Sequence, residues 1–442
     1  MYSRYFILFL LLPHFLFSMS FEEARHLLSR TSFGIRETEV RKLMRYDYEA
    51  GVDFLLKNTY STSKTKLSLL KAKKQRKIRK TNRMRLQAFF YKELIETPSP
   101  LTEKMVLFWH NHFVSSLAKV KPEYMYKQNQ LFRQYALGNF RELLLHIPRD
   151  PAMIVYLDLN SNREGNANEN FARELLELFT LGEGKYTETD IKEAARAFTG
   201  YSINHREGTF RFVKRKHDMG KKTFMGLTRR FTGEDIITDV LLEKRGKEIA
   251  YFITRKLWLE FVSKKVKEAR VKQLGKLFYR QGFEIKPLLK AILMSSEFRS
   301  SKNYGTMIKS PIELIVGTIR TLSIDLDDTK VLLRLGKQMG QDILTPPNVK
   351  GWPGGNKWIS SHSLSMRKQF VNRLVRGQEM GKMQGMMQMN KSYILSLPNT
   401  SANRNRILKL LLPRSPVSKS FTTNSFLEYV HDILLDPVYQ LK

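Results

Sequence analysis

The chain has 442 residues, with 76 Lys and Arg against 42 Asp and Glu, a net charge of +34 and no cysteine. A hydrophobic share of 42% can fill cores, which excludes wholesale disorder; the missing cysteines exclude disulfides, thiolate metal sites and a cysteine nucleophile. A pI near 10.1 predicts attraction to polyanions (nucleic acid, anionic lipid head groups or acidic polysaccharide), and the length allows two or three structural units of about 150 residues.

Residues 1–20 carry one cation, Arg4, then an apolar run from Phe6 to Phe17 and the small-x-small triplet Ser18-Met19-Ser20. The run is broken by Pro13 and His14 and is shorter than the roughly 20 residues that span a bilayer. This three-part pattern predicts a cleaved signal peptide, with the exported chain starting near Phe21; an uncleaved anchor or a buried first helix is the alternative. Export sets genomic nucleic acid aside as a physiological partner and moves envelope polyanions forward.

Downstream, apolar residues recur at three- and four-residue spacing, which predicts a mainly α, multi-helical protein. Helices are expected over 21–28, 37–56, 86–96, 101–116, 124–145, 168–181 and 188–198. Further ones are expected over 234–242, 247–261, 266–281, 285–296, 311–322 and 363–376. Thr187 with Asp190 has capping-box spacing, and Gly200 follows the end of that helix. The alternating Thr209-Phe-Arg-Phe-Val213 after Arg206-Glu-Gly208 predicts one small β-hairpin inserted at about 202–226. Eleven Lys and Arg without an acid between Lys64 and Arg85 mark a basic insertion: a solvated excursion or a polyanion-binding arm. The Met-rich stretch from Met380 and Leu397–Thr400 mark a linker at 381–400, separating a helical core (21–380) from a C-terminal helical unit (401–442). The methionines suit flexible apolar filling, with Cu(I) ligation as the alternative.

Four groups of residues carry candidate chemistry. From Asp158, oxygen-bearing side chains fall at the spacing of a calcium loop, through Asn160, Asn162 and on to Glu169 at position 12. The sixth position, which wants Gly, is Arg163, so the same residues also read as a turn capping the next helix through Asn166 or Asn168. The helix after it places Glu169, Asn170, Arg173, Glu174 and Glu177 opposite its apolar stripe. Glu174 and Glu177, one turn apart, could serve metal or proton transfer; Glu169–Arg173 and Arg173–Glu177 could equally form a ladder of ion pairs. His110 and His112 lie about 200° apart on a helix and so cannot share one metal from one face; each is either a core residue or an acid/base group for a different partner. His217, Asp218 and Lys222 add a further acid/base candidate. Trp352 and Trp358 bracket the glycine-rich Gly351–Trp358 loop and are either a core plug or a sugar-stacking platform. Neither a phosphate-loop motif nor a G-x-S-x-G or HExxH motif occurs.

Several strings together resemble the exported bacterial domain-of-unknown-function family 1800. They are the segments 103–113, 136–144, 150–153, 168–182, 194–200, 217–222, 346–355 and 434–440. In order, they cover nearly the whole chain after residue 20. The resemblance implies an exported, mostly helical protein, often encoded beside a sulfatase-like exported family, with no settled activity. It also implies that the His, Asn-Glu-Asn, Arg-Glu and His-Asp-Lys positions belong to one shared polar site, and it does not carry the calcium pattern at Asn160 and Asn162.

The expected protein is therefore periplasmic or extracellular. Its polar site would gather His110 or His112, Asn168, Glu169, Arg173, Glu174, Glu177, His217 and Asp218, and act on or bind an anionic glycan or phosphorylated envelope polymer. In a catalytic version a Glu is base or metal ligand (calcium being the candidate ion), a His is acid/base, and Arg173 with Lys222 clamps the anion. The rivals are a non-catalytic polyanion-binding scaffold and a partner of the sulfatase-like protein.

Overall fold

The computed structural model describes residues 18–63, 67–70, 76–326, 328–380 and 392–442. The first seventeen residues, parts of the basic insertion and the Met-rich stretch lie outside the described residues. The chain is mainly α-helical, and its β structure is confined to two antiparallel hairpins. No helix among the described residues is long and apolar enough to cross a membrane.

The helix Pro311–Thr321 is the hub. All eleven of its residues are buried, because PIELIVGTIRT is apolar nearly all round. Such a helix must be covered on every side, and its capping box, Ser310 with Glu313, satisfies its first turn. Gly317 lets the backbone at Gly34 approach: a Cβ on Gly34, which has φ +76°, would lie 2.3 Å from the Gly317 carbonyl oxygen. One continuous apolar core surrounds this helix and takes residues from Met19 to Tyr439. The C-terminal helices Ser401–Leu411 and Phe426–Leu435 contribute Ile407, Leu410, Val430 and Ile433 to that same core.

The first helix among the described residues is Phe21–Thr31. Ser20 is its N-cap in a capping box with Glu23, and Met19 is 1% exposed with its N–H donated to the Tyr46 carbonyl at 2.8 Å. The cleavage position expected after Ser20 would thus remove a cap and a core side chain.

Periodicity located most helices and misplaced several ends. The long pattern at 37–56 is two helices, Glu37–Leu43 and Tyr48–Lys57, because Asp47 caps the second. The pattern at 124–145 is likewise split, with Asn139 capping Phe140–His146. The helix expected from Leu86 begins at Arg76: its first turns are exposed and cationic, so they show no apolar period. The expected single hairpin is followed by a second. Tyr201–Asn204 pairs with Thr209–Phe212, and Lys222–Phe224 with Leu227–Arg229 around a Met225-Gly226 turn of positive φ.

Gly34→Ala is expected to lower unfolding stability by about 3 kcal/mol, since both its φ and the opposing backbone refuse a Cβ. Chemical denaturation checks this, and an unchanged midpoint contradicts it.

Candidate functional site

The helix Pro100–His112 and the loop Gly351–Trp358 enclose a cavity of about 200 Å³. Lys104, Leu107, Phe108 and Asn111 line it from the helix, one stripe at i, i+3, i+4 and i+7. Asn111 docks the loop: its Oδ1 accepts the Trp352 N–H at 2.7 Å, and a Cβ on Gly351 would sit 2.3 Å from that oxygen. Gly351 is therefore required both by contact and by its φ of +85°. Trp352 and Trp358, each 6% exposed, form the loop's wall of the cavity. The Trp352 indole N–H has no hydrogen-bond partner among the described residues.

The floor is ionic. The buried Glu313 carboxylate accepts hydrogen bonds from the ammonium groups of Lys104 and Lys442, both also buried. Glu260 lies 3.5 Å from Lys104 and 3.8 Å from Lys442. Backbone pairing of Met307 with Lys442 fixes the tail there, the Lys442 N–H donating at 2.7 Å. Desolvation alone would raise the Glu313 carboxyl, but two touching ammonium groups overrule it and hold it well below the carboxylate range. Lys442 is lowered to about 8 by burial, which outweighs Glu313 with Lys104 and Arg30 adding repulsion. Lys104 is also penalised by desolvation, and is nonetheless raised because Glu313 and Glu260 face it.

Trp352 and Trp358 are the only residues nominated from the sequence that line this cavity. The others fall into separate groups, and no described hydrogen bond or ion pair joins His110, Glu174 and His217. His110 is buried against Phe90 and Phe132 and accepts from the Asn129 amide, which in turn holds Arg133 on Glu103. Burial and Arg133 lower its pKa to about 3, so it is neutral. His112 donates through Nε2 to the Phe179 carbonyl and accepts from Lys256 at Nδ1; Lys256 also donates to the Leu178 carbonyl. These carbonyls end a helix that widens to π-type hydrogen bonding over Leu175–Thr180, so His112 and Lys256 cap that end. Desolvation and Lys256 hold His112 neutral as well, well below its ordinary value.

The acidic helix is a clamp. Arg173 grips both oxygens of Glu188 at 2.8 Å and reaches Glu169 at 3.2 Å, so it turns away from the Glu177 rung expected of it. Glu177 accepts from Tyr186 and lies 3.7 Å from Lys350, two residues before Trp352; the acidic helix thus abuts the glycine-rich loop outside the cavity. Desolvation and Glu177 raise the half-buried Glu174 carboxyl.

Asp158, with φ +59°, pairs with Lys119 at 2.7 Å. Asn162 donates to the Ala195 carbonyl and accepts from the Asn168 N–H. Asn168 in turn accepts from the Asn170 N–H at the helix start, while Asn160 is exposed and Glu169 serves Arg173. Asp158, Asn162, Asn168 and Glu169 thus meet protein donors in a capping turn. Among the described residues no group of three or more His, Asp and Glu could hold a metal. His217 donates from Nδ1 to the Thr199 carbonyl at 2.9 Å, and Asp218 pairs with Arg196 at 2.7 Å. Lys222 donates to the Asp218 and Gly220 carbonyls, stapling the turn before the second hairpin.

Sequence reasoning missed the ionic floor. Lys104 and Asn111 lie in segment 103–113, beside the two more conspicuous histidines. The available signal was a lysine opening the apolar run Met105–Trp109 of a helix, and a Glu three residues after Ser310 opening an uncharged run.

Two outcomes follow from this wiring. Imidazole nitrogen shifts of His110 and His112 are expected to remain those of neutral rings down to pH about 5; titration near 6.5 contradicts the buried assignments. Glu103→Ala, which strands Arg133, is expected to cost about 3–5 kcal/mol in denaturant unfolding, and a loss under about 1 kcal/mol contradicts the buried pair.

A family model described as "Protein of unknown function (DUF1800)" matches residues 26–441. Neither the curated proteins nor the solved structures contain a match to the chain.

Proposed function

The chain belongs to the DUF1800 family, and on that premise we propose that it is an exported envelope protein that binds an anionic sugar unit in the tryptophan cavity. One observation carries the reading: two indoles and an ammonium–carboxylate floor share one small cavity. Aromatic faces stack on sugar rings, Asn111, Glu260 and Gln341 supply hydroxyl partners, and Lys104, Lys264 and Lys442 attract negative charge. The volume suits a single sugar unit, so a polymer would enter by an end or a side group.

Binding fits the floor better than bond cleavage. A general acid or base must exchange its proton near neutral pH, whereas Glu313 is fixed as a carboxylate by two ammonium groups. Glu260, partly exposed, remains as a hydrogen-bond acceptor at the cavity edge.

A second reading, a basic face that holds envelope polyanions, is favoured by the helix Arg76–Glu96. Its first ten residues include Arg76, Lys77, Arg79, Lys80, Arg83 and Arg85 and no acid, although a helix N-terminus disfavours cations. Retention on an immobilised anionic polymer should then fall steeply with salt; salt-independent retention contradicts this second reading.

For the cavity, titration with uronic-acid disaccharides and sugar phosphates should change tryptophan fluorescence saturably. Trp352→Ala is expected to weaken binding at least tenfold, about 1.4 kcal/mol. Equal affinity in the variant, or no saturable ligand in either set, contradicts the proposal.

A further inference from the structure

The charges behind the cavity floor do not balance. Arg30, Lys104, Lys309, Arg367 and Lys442 interact with Glu313, with Glu260 as a second carboxylate, and Arg25 stands beside Lys309 with Glu22 as its own carboxylate. Five of the six cations are buried residues, and the Lys309 ammonium lies 3.8 Å over the Tyr439 ring. Six cations against Glu313, Glu260 and Glu22 leave a formal excess of three positive charges.

Hydrogen bonding is short within the same cluster. Arg30 has two N–H groups, Nε and Nη1, without a partner among the described residues, and Arg367 has one at Nε. Buried cations are costly, and unpaired N–H groups on two of them add to the cost, so a fold that gathers this cluster is arranged for negative charge to arrive. Lys104 and Lys442 are the two that reach the cavity itself, with Lys264 at its rim.

We infer that the anionic group seated on this floor is a phosphate monoester, held by Lys104 and Lys442 with the attached sugar against Trp352 and Trp358. The inference rests on the cavity reading above and names its ligand class: a sugar phosphate. A carboxylate would bring one negative charge and two acceptor oxygens. A phosphate monoester brings close to two charges and three free oxygens, which better matches the excess and the number of ammonium protons. The Glu313 carboxylate stays in place and keeps both lysines aimed, while the cations behind supply long-range field.

The test is calorimetric titration of the full chain with inorganic phosphate, glucose 1-phosphate and glucuronate, on wild type, Lys442→Gln and Trp352→Ala. Expected are one-to-one binding of phosphate, at least tenfold tighter binding of glucose 1-phosphate, and at least tenfold weakening of both in Lys442→Gln. Trp352→Ala should keep phosphate and lose the gain from the sugar. Glucuronate binding without phosphate binding overturns the phosphate assignment and leaves the glycan reading standing. Phosphate binding with no gain from the sugar overturns the glycan reading instead. Phosphate binding that Lys442→Gln leaves unchanged is adventitious and overturns the assignment, as does the absence of any binding. Should Lys442→Gln fold poorly, Lys264→Gln at the exposed rim is expected to weaken phosphate about twofold to threefold, and no change there counts against the inference.

Discussion

The position of Glu313 constrains the rest of the molecule. It stands in the first turn of a helix buried on every side, where an ionised carboxylate is tolerable only if cations come to it. Lys104 from the Pro100–His112 helix and Lys442, whose backbone pairs with Met307, do so. Each contact fixes a larger piece: Lys104 sets the rotation of its helix, and hence the stripe that carries Asn111. Lys442, paired with Met307 along the backbone, brings the segment after Pro437 to the centre. Asn111 then docks the glycine-rich loop, and the two tryptophans follow. The cavity is thus a consequence of neutralising one buried charge.

A second constraint explains the polar residues around the acidic helix and the hairpins. Helix ends leave carbonyls without partners, and buried ends need protein donors. His112 and Lys256 meet that need at Leu178 and Phe179, and Lys222 does the same for the turn carbonyls of Asp218 and Gly220. Asn168 and Asn162 serve backbone amides and carbonyls in the capping turn. Residue types suited to catalysis are also those suited to closing helix ends, and in these groups the second use is the one the geometry displays.

What was legible in the sequence follows from what generates a local pattern. Apolar stripes revealed most helices, since burial on one face imprints a 3.6-residue period; Thr187 and Asp190 marked a cap by spacing alone. The exposed start of the Arg76–Glu96 helix left no such imprint. The breaks at Asp47 and Asn139 lay inside continuous apolar patterns and were set by side-chain caps. The tryptophan loop was legible as a loop, but its partners were not. Lys104, Glu260, Glu313 and Lys442 are far apart in sequence, and only tertiary packing brings their charges together.

The most direct test of this account is a double-mutant cycle on the floor, with Lys104→Met, Glu313→Gln and both together, read as unfolding free energy in denaturant. If Glu313 organises the fold through its ammonium partners, the double variant should be less destabilised than the sum of the singles by more than about 1.5 kcal/mol. Additivity within about 0.5 kcal/mol would mean that the two charges stand side by side without depending on each other, and would contradict the account.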